Sequence, residues 1–309
     1  MVDSPNRSAV RVGIEISSTS LNAVALGAND EVIKAHSVTI DNEKDIAEQV
    51  SALVAELKSE FGEFGRFGVA IPGLVDRATG RVAFSAIVPT QSEVDLGSRI
   101  KAATGLDVVI ENDANAAAFG EYCCGAGRNS EDMFYATLGE GVGGAFIFGG
   151  DIWHGASGFA GEFGYVLIDS EGMKLEDVAS TANVVSRTRS RFKQDSTSSL
   201  GKLNEEDLDL SRIIAAAEDN DDFAQMMLER TGMYVGTAVA SVINLLNIER
   251  IVIGGAIMQA KHLVLDGVIE RARELSFVPA FESTRIVEGE LGPNAAAIGA
   301  AFIGGLRAD

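Results

Sequence analysis

The chain has 309 residues, a formal net charge of −20 at pH 7 and 46% hydrophobic residues. This length is sufficient for two compact domains, each with its own hydrophobic core. The excess of acidic residues argues against nucleic acids and anionic membranes as partners, because both attract basic surfaces.

The N-terminal part of the chain predicts a hairpin followed by a helix. Met1–Ser8 is polar and contains no apolar stretch, so we expect no signal peptide and a cytoplasmic protein. Two strands are predicted at Arg11–Ile16 and Leu21–Leu26, joined by the polar turn Ser17–Ser20. A helix is predicted over Ile46–Glu60 from apolar residues at i, i+4 and i+7 spacing. Because the first strand begins near residue 10, we expect no DNA-binding helix-turn-helix in front of it.

Two acids and an amide mark the point where a strand ends and a helix begins. The segment Glu111–Ala118 follows the apolar run Val108–Ile110, and its Ala-rich part favours a helix. Backbone N–H groups at a helix start favour negative charge, so a carboxylate can stay ionised there and serve as a base. Asn112 and Asp113 therefore have two interpretations, as helix caps or as catalytic residues.

A second hairpin is predicted from Phe134–Leu138, the Gly-rich turn Gly139–Gly144 and Ala145–Phe148. Its alternating glycines can adopt positive φ and expose N–H groups that bind phosphate, although an isolated Gly-rich turn more often binds nothing. The polar residues of the two hairpins share an offset of 122 residues, as from Glu15 to Thr137. A repeat of this length indicates two similar α/β halves. Two such turns facing each other could hold a polyphosphate for phosphoryl transfer.

The remaining elements are helical, and the soft metal ligands are few. Helices are predicted over Asp221–Asn247 and Asn294–Gly304. The only cysteines, Cys123 and Cys124, are neighbours on a predicted helix, so we expect free thiols in a reducing compartment. We expect each of the three histidines to be a surface or loop residue outside any metal site: His36, His154 and His262.

Seven motifs occur in an order that is difficult to obtain by chance. The segments are Glu15–Ser20, Ile71–Gly73, Glu111–Glu121, Thr137–Gly144, Gly161–Gly164, Leu175–Ser180 and Ile251–Gly255. The series resembles the ROK family (repressors, open reading frames and sugar kinases) of the actin/hexokinase-like superfamily. The resemblance implies that the segments are, in this order, a first phosphate loop, a Pro-Gly turn, an acidic helix start, a second phosphate loop, two glutamate motifs and an adenosine loop.

The resemblance implies an α/β fold with two lobes of the actin-like, ribonuclease H-like type. Each lobe is expected to be a mixed sheet with flanking helices, and the ligand is expected in a cleft between the lobes. The N-terminal lobe is expected over residues 1–112, with a C-terminal helix at 294–309 packing back onto it. Residues 113–293 are expected to form the other lobe, and the chain is expected to form a homodimer.

The resemblance also implies ATP-dependent phosphorylation of a sugar hydroxyl, as in glucokinases and fructokinases. Mg-ATP is the implied donor, Asp113 the implied base, and Glu15 the implied Mg²⁺ ligand through water. The implied sugar-binding residues are Gly73, Asn112, Glu162, Tyr165 and Glu176. The implied ATP- and phosphate-binding residues are Glu15, Ser18, Thr19, Thr137, Gly139, Gly141, Gly143, Gly254 and Gly255.

Several positions depart from the family pattern. The first loop has acidic and Ser residues where the family has Asp, two Gly and Lys: Glu15, Ser17, Ser18 and Ser20. Three further residues replace a common Thr, a His and a sugar-binding Asn: Glu140, Tyr165 and Ile87, the last following Ser85-Ala86. The zinc loop of the family is missing, because Val166–Lys174 contains neither Cys nor His, so we expect no zinc.

These departures support an alternative interpretation. A carboxylate at Glu140 beside a polyphosphate costs on the order of 1 kcal/mol or more unless a cation lies between them. The alternative is therefore a catalytically impaired ROK-fold protein that binds a sugar or nucleotide for regulation. Phosphatase or ATPase chemistry on the same fold is a third and more distant alternative.

Overall fold

A computed structural model describes residues 10–76, 79–85, 87–195 and 197–306. The segment Met1–Ser8 and Ala86 lie outside the described residues. The chain forms two compact units. Unit 1 comprises the residues up to Asn129, the segment Gly150–Ala160 and the residues from Pro293 onward. Unit 2 comprises Ser130–Gly149 and Gly161–Gly292.

Both units contain strands and helices, as expected for the α/β class. The strands are β1 (Arg11–Ile16), β2 (Ser20–Leu26), β3 (Val32–Thr39), β4 (Arg66–Ile71), β5 (Leu74–Asp76), β6 (Arg81–Phe84), β7 (Val94–Asp95), β8 (Asp107–Asn112), β9 (Met133–Leu138), β10 (Val142–Phe148), β11 (Asp151–Ile152), β12 (Arg250–Gly254) and β13 (Arg285–Glu288). The α-helices are α1 (Ile46–Phe61), α2 (Leu96–Thr104), α3 (Asp113–Cys124), α4 (Glu176–Ala179), α5 (Thr181–Arg189), α6 (Leu210–Glu218), α7 (Asp222–Leu246), α8 (His262–Leu275), α9 (Val278–Ser283) and α10 (Ala295–Gly305).

Unit 1 contains a five-stranded mixed sheet with the strand order β3-β2-β1-β4-β8. The pairs β1–β2 and β2–β3 are antiparallel, whereas β1–β4 and β4–β8 are parallel. Helix α1 begins at Asp45, whose carboxylate accepts the N–H groups of Ala47 and Glu48. The predicted apolar face of α1 is buried, so the prediction of a helix from Ile46 is confirmed, with its end one residue later than predicted.

The Ala-rich helix α10 lies very close to β1 and β4. A Cβ atom at Gly13 would lie 2.0 Å from the carbonyl oxygen of Ala297. A Cβ atom at Gly68 would lie 1.9 Å from the carbonyl oxygen of Ala300. Glycine in the strands and alanine in the helix therefore allow backbone to pack on backbone, and any larger side chain would force the two apart.

Helix α3 belongs to unit 1 for the same reason. A Cβ atom at Gly299 in α10 would lie 1.6 Å from the carbonyl oxygen of Ala116 in α3. The boundary of the first lobe was predicted after residue 112, whereas unit 1 continues to Asn129 and also includes residues 150–160. The difference arises because the packing of α3 on α10 involves residues far apart in sequence.

In unit 2, the strands of the main sheet are hydrogen-bonded in the order β10-β9-β12-β13. The pair β9–β10 is antiparallel, and the pairs β9–β12 and β12–β13 are parallel. Each bound of the β9–β10 hairpin lies 122 residues after its counterpart in β1–β2, from Arg11 to Met133 and from Leu26 to Phe148. The predicted repeat is therefore confirmed as a repeated hairpin.

Two further features concern the cysteines and the length of the apolar helices. Cys123 and Cys124 are free and half-buried at the end of α3. Burial is the main cause that raises the pKa of Cys123 to about 12 and that of Cys124 to about 11, so both are thiols at neutral pH. Within the part of the chain that the structure describes, no helix is both long and apolar enough to cross a bilayer.

Candidate functional site

The end of β8 carries the acidic motif, and Asn112 is the N-cap of α3. Its side-chain oxygen accepts the backbone N–H of Asn115 at 3.0 Å. Its Nδ2 donates to the carbonyl oxygen of Gly73 at 2.9 Å and to Oδ1 of Asp113 at 3.0 Å. The capping interpretation therefore holds for Asn112. The same amide also contacts Asp113, so capping and orientation of the carboxylate are combined in one side chain.

Gly73 has a backbone conformation that favours glycine. Its φ is +128°, and a Cβ atom there would lie 2.3 Å from the carbonyl oxygen of Phe84. The turn after β4 is therefore tight enough to place the Gly73 carbonyl against Asn112. Together, Gly73, Asn112 and Asp113 form one group in unit 1, named here the strand-end cluster. Ile87, in contrast, packs against the hydrophobic core of unit 1.

Glu111, the residue before the strand-end cluster, is buried with only 3% of its surface exposed. Its Oε1 accepts the N–H of Asn112 at 2.8 Å and Nδ2 of Asn115 at 2.9 Å. Its Oε2 lies 2.9 Å from Nε2 of His154. Burial by itself raises the pKa of Glu111, but the hydrogen bond and charge of His154, with the bonds from Asn115 and Asn112, outweigh it. The pKa of Glu111 consequently lies below its ordinary value.

His154 was not among the functional residues predicted from the sequence. It lies in a loop, as predicted, but its side chain is only 17% exposed and is paired with a buried carboxylate. The pairing with Glu111 was not predicted, because Glu111 is 43 residues away in sequence and no spacing rule connects the two. The only local sign of a role for His154 was its position eight residues before Glu162 of the first glutamate motif.

The first phosphate loop is closed by its own hydrogen bonds. The N–H of Ser17 donates to the carbonyl oxygen of Ser20 at 2.9 Å, and the N–H of Ser20 donates to Oγ of Ser17 at 2.9 Å. The N–H of Thr19 also donates to Oγ of Ser17, at 3.3 Å. Oε2 of Glu15 accepts Nδ2 of Asn22 at 3.0 Å. These three amides donate inside the turn, and the predicted roles of Ser18 and Thr19 toward phosphate stay predictions.

The second phosphate loop is shorter than predicted. Strand β10 begins at Val142, so Gly143 and Gly144 are strand residues and only residues 139–141 form the turn. The N–H of Gly139 donates to the carbonyl oxygen of Gly141 at 2.9 Å, and φ of Gly139 is not in the left-handed region. Gly139 therefore does not use the positive φ that glycine allows.

Open space remains beside the second phosphate loop. A Cβ atom at Gly139 would meet only the carbonyl oxygen of Gly141, at 3.9 Å. No packing within the described residues therefore requires glycine at 139, which is compatible with the approach of a ligand. Thr137 is half-buried at the end of β9, opposite Gly143, and Glu140 is exposed. Their predicted roles toward phosphate stay predictions.

The two glutamate motifs of unit 2 lie close to each other. Oε2 of Glu176 accepts the N–H of Val142 at 2.8 Å, which connects α4 to the start of β10. The pKa of Glu162 is raised, first by desolvation of its carboxyl group and then by the negative charge of Glu176. Two neighbouring carboxylates suit the hydroxyl groups of a polyol, since each accepts several hydrogen bonds.

Tyr165 and the segment after it occupy the position of the family's zinc loop. Two backbone hydrogen bonds make the segment a hairpin. The N–H of Ile168 donates to the carbonyl oxygen of Met173, and the N–H of Leu175 donates to that of Val166, both at 2.9 Å. Tyr165 is 61% exposed, and Nζ of Lys174 lies 3.8 Å from the centre of its ring. Among the residues that the structure describes, no group of three or more His, Cys, Asp or Glu could hold a metal ion. The predicted independence from zinc stays a prediction.

The predicted adenosine glycines have packing reasons of their own. A Cβ atom at Gly254 would lie 2.3 Å from the hydroxyl oxygen of Tyr135. Gly255 has φ of +93°, and a Cβ atom there would lie 2.5 Å from the backbone of Leu138. Both glycines are thus required by the contact between β12 and β9, whatever they contribute to nucleotide binding.

The sequence and the fold place the chain among known proteins. The profile of the ROK family matches residues 11–304, so the chain belongs to the ROK family. It is 29% identical to a glucokinase of Thermotoga maritima over 94% of this chain and 96% of that protein. It is also 29% identical to the xylose repressor of Bacillus spizizenii, over 80% of this chain and 62% of that protein.

A solved structure supports the same assignment. A ROK family glucokinase from Streptomyces griseus, in complex with glucose and AMPPNP, is similar with a TM-score of 0.84 at 26% identity. The similarity covers 96% of this chain and 99% of that chain. The predicted family and the predicted actin-like α/β fold class are therefore confirmed.

Proposed function

We propose that this protein phosphorylates a hydroxyl group of a hexose or related polyol with ATP. The observation that carries the proposal is the strand-end cluster of a ROK family chain, in which the amide of Asn112 holds Oδ1 of Asp113. A carboxylate oriented in this way, at the start of a helix, can take the proton from an attacking hydroxyl. The similarity to a glucokinase over nearly the whole chain supports the same chemistry.

The roles of the other residues follow from their positions. In unit 1, Asn112 and the turn at Gly73 would contact the sugar beside the base. In unit 2, Glu162 and Glu176 would accept hydrogen bonds from sugar hydroxyls, with the exposed Tyr165 near them in the chain. The phosphates of ATP would be bound by Ser18, Thr19 and Thr137 and by the backbone at Gly139, Gly141 and Gly143, and the adenosine by Gly254 and Gly255.

The donor set is compatible with Mg²⁺. One carboxylate, that of Glu15, hydrogen-bonded to Asn22, suits an ion that keeps several waters and otherwise binds substrate phosphates. When bound, Mg²⁺ would supply neutralisation of the phosphate charge. Glu15 would hold it through water, and Asn22 would orient the carboxylate.

One observation favours a second candidate function, a regulatory sugar- or nucleotide-binding protein. The amides of Ser17, Thr19 and Ser20 are used within the first phosphate loop. The similarity to a xylose repressor, which covers 80% of this chain, points in the same direction. Such a protein has no use for a base, however, and Asp113 with its Asn112 contact favours the kinase.

A coupled ADP-release assay with Mg-ATP over hexoses, amino sugars and inositols separates the two candidates. The kinase proposal requires ADP release that depends on one class of sugar and falls below about a tenth in Asp113→Asn, with sugar affinity retained by calorimetry. Sugar binding without ADP release would support the regulatory candidate. An Asp113→Asn variant with near wild-type turnover would refute Asp113 as the base.

A further inference from the structure

Buried Glu111 and half-buried His154 form a pair next to the strand-end cluster. The distance between Oε2 of Glu111 and Nε2 of His154 is 2.9 Å. The two side chains are only 4% and 17% exposed. Both residues belong to unit 1, Glu111 through β8 and His154 through the returning segment Gly150–Ala160. None of the predicted roles in phosphoryl transfer uses this pair.

A buried carboxylate paired with a half-buried imidazole is a costly way to hold a fold together. Desolvation of the carboxylate offsets much of the gain from its partners, and apolar replacements of similar volume are often as stable. The hydrogen bonds to the Glu111 carboxylate are also directional: two donors bind Oε1 and one binds Oε2. This geometry fixes where the carboxylate lies, which simple packing would not require.

The bonds from Glu111 lead to the base in two steps. Glu111 accepts the N–H of Asn112 and the side chain of Asn115, and Asn115 in turn donates its own N–H to the side chain of Asn112. Asn112 then donates to Oδ1 of Asp113. A displacement of the Glu111 carboxylate would therefore turn the Asn112 amide and, with it, the carboxylate of Asp113.

His154 fixes the other end of the network. Its carbonyl oxygen accepts the N–H of Ala160 at 3.1 Å, so the segment from His154 to Ala160 is closed on itself. The imidazole then connects this closed segment to β8. We propose that Glu111 and His154 are positioning residues that set the orientation of Asp113 toward the sugar hydroxyl. This inference rests on the proposed sugar kinase function.

The test uses variants of the full chain that differ in hydrogen-bonding capacity. His154→Leu removes the donor to Glu111, whereas His154→Gln keeps an N–H donor. His36→Leu is the matched control, because His36 lies 3.8 Å from Glu56 in an exposed pair of the same kind. The measured quantities are kcat, the KM for the sugar, the KM for ATP and the melting temperature.

We expect His154→Leu to lower kcat/KM for the sugar at least about tenfold, since small misplacement of a reacting group has large effects. The KM for ATP should stay within about twofold, because none of the proposed phosphate-binding residues is changed or belongs to the hydrogen-bond network of Glu111 and His154. His154→Gln should recover activity to within about threefold of wild type, and His36→Leu should not differ from it. In the double variant Glu111→Gln/His154→Leu, the loss should not exceed that of His154→Leu, because both changes interrupt one network.

A lower melting temperature in His154→Leu with unchanged kcat and sugar KM would refute the positioning role. So would a failure of His154→Gln to restore activity in a variant that folds with the wild-type circular dichroism spectrum. If wild type releases no ADP with any sugar, the proposed function fails. The sugar Kd from calorimetry then decides the inference by itself, since a positioning pair requires a weaker Kd in His154→Leu and an unchanged Kd in His36→Leu.

Discussion

Removal of the Asn112 side chain should affect stability and activity to different degrees, depending on the replacement. Asn112→Ala deletes the cap bond to Asn115, worth about 1 kcal/mol. It also deletes the bond to the Gly73 carbonyl, worth about 1 kcal/mol for a typical hydrogen bond. Together they amount to about 2 kcal/mol, which lowers the melting temperature by about 3 °C for a chain of 309 residues, because the entropy of unfolding grows with chain length.

Asn112→Ser separates the cap from the other contacts of the side chain. A serine hydroxyl caps a helix nearly as well as an asparagine amide but cannot reach both Gly73 and Asp113. We therefore expect Asn112→Ser to recover about 1 kcal/mol of the stability lost in Asn112→Ala. Both variants should lose at least about tenfold in kcat, because the Asp113 carboxylate is no longer held.

Urea denaturation followed by circular dichroism measures the stability, and the coupled ADP assay measures kcat. Asp95→Ala is the matched control, since Asp95 caps α2 in the same unit through the N–H of Ser98 at 3.0 Å. It should lower the melting temperature without changing kcat. Equal stability of Asn112→Ser and Asn112→Ala would contradict the cap energy, and full activity in either would contradict the role of Asn112 toward Asp113.

Three further predictions concern pH, zinc and the second phosphate loop. The pKa of Glu111 is lower in the folded protein than its ordinary value of 4.5, so its contribution to stability is complete above about pH 4.5 and is lost as pH falls through the folded value. Urea denaturation of Glu111→Gln should therefore show a smaller loss of stability in acid than wild type. If the free energy of unfolding fell equally with pH in both proteins, Glu111 would not be the source of this pH dependence. Chelator should leave the melting temperature unchanged because Val166–Lys174 has no thiolate or imidazole ligand, whereas stoichiometric zinc by elemental analysis would contradict this. Glu140→Thr should change the Kd for ATP by less than about fivefold, or about 1 kcal/mol, because Glu140 is exposed. Tighter ATP binding by the variant would indicate that Glu140 repels the phosphates. Weaker Mg-ATP binding would indicate that Glu140 helps to hold the metal ion.

The sequence by itself was sufficient for features that depend on neighbouring residues. The hairpin strands, the buried face of α1 and the 122-residue repeat were predicted because periodicity and turn composition are local properties. The strand end at Asn112 and the helix after it were predicted for the same reason. The seven motifs were enough to identify the ROK family, since their order survives where overall identity to the relatives is low.

The tertiary structure alone decided the features that join distant parts of the chain. His154 became part of the acidic motif because the segment from residue 150 to 160 returns to unit 1 and reaches Glu111. Helix α3 joined unit 1 because glycine in α10 allows its backbone to come within contact of Ala116. Gly254 proved to be required by Tyr135, a contact between strands more than a hundred residues apart. Such contacts depend on the path of the whole chain, which local patterns of residues do not predict.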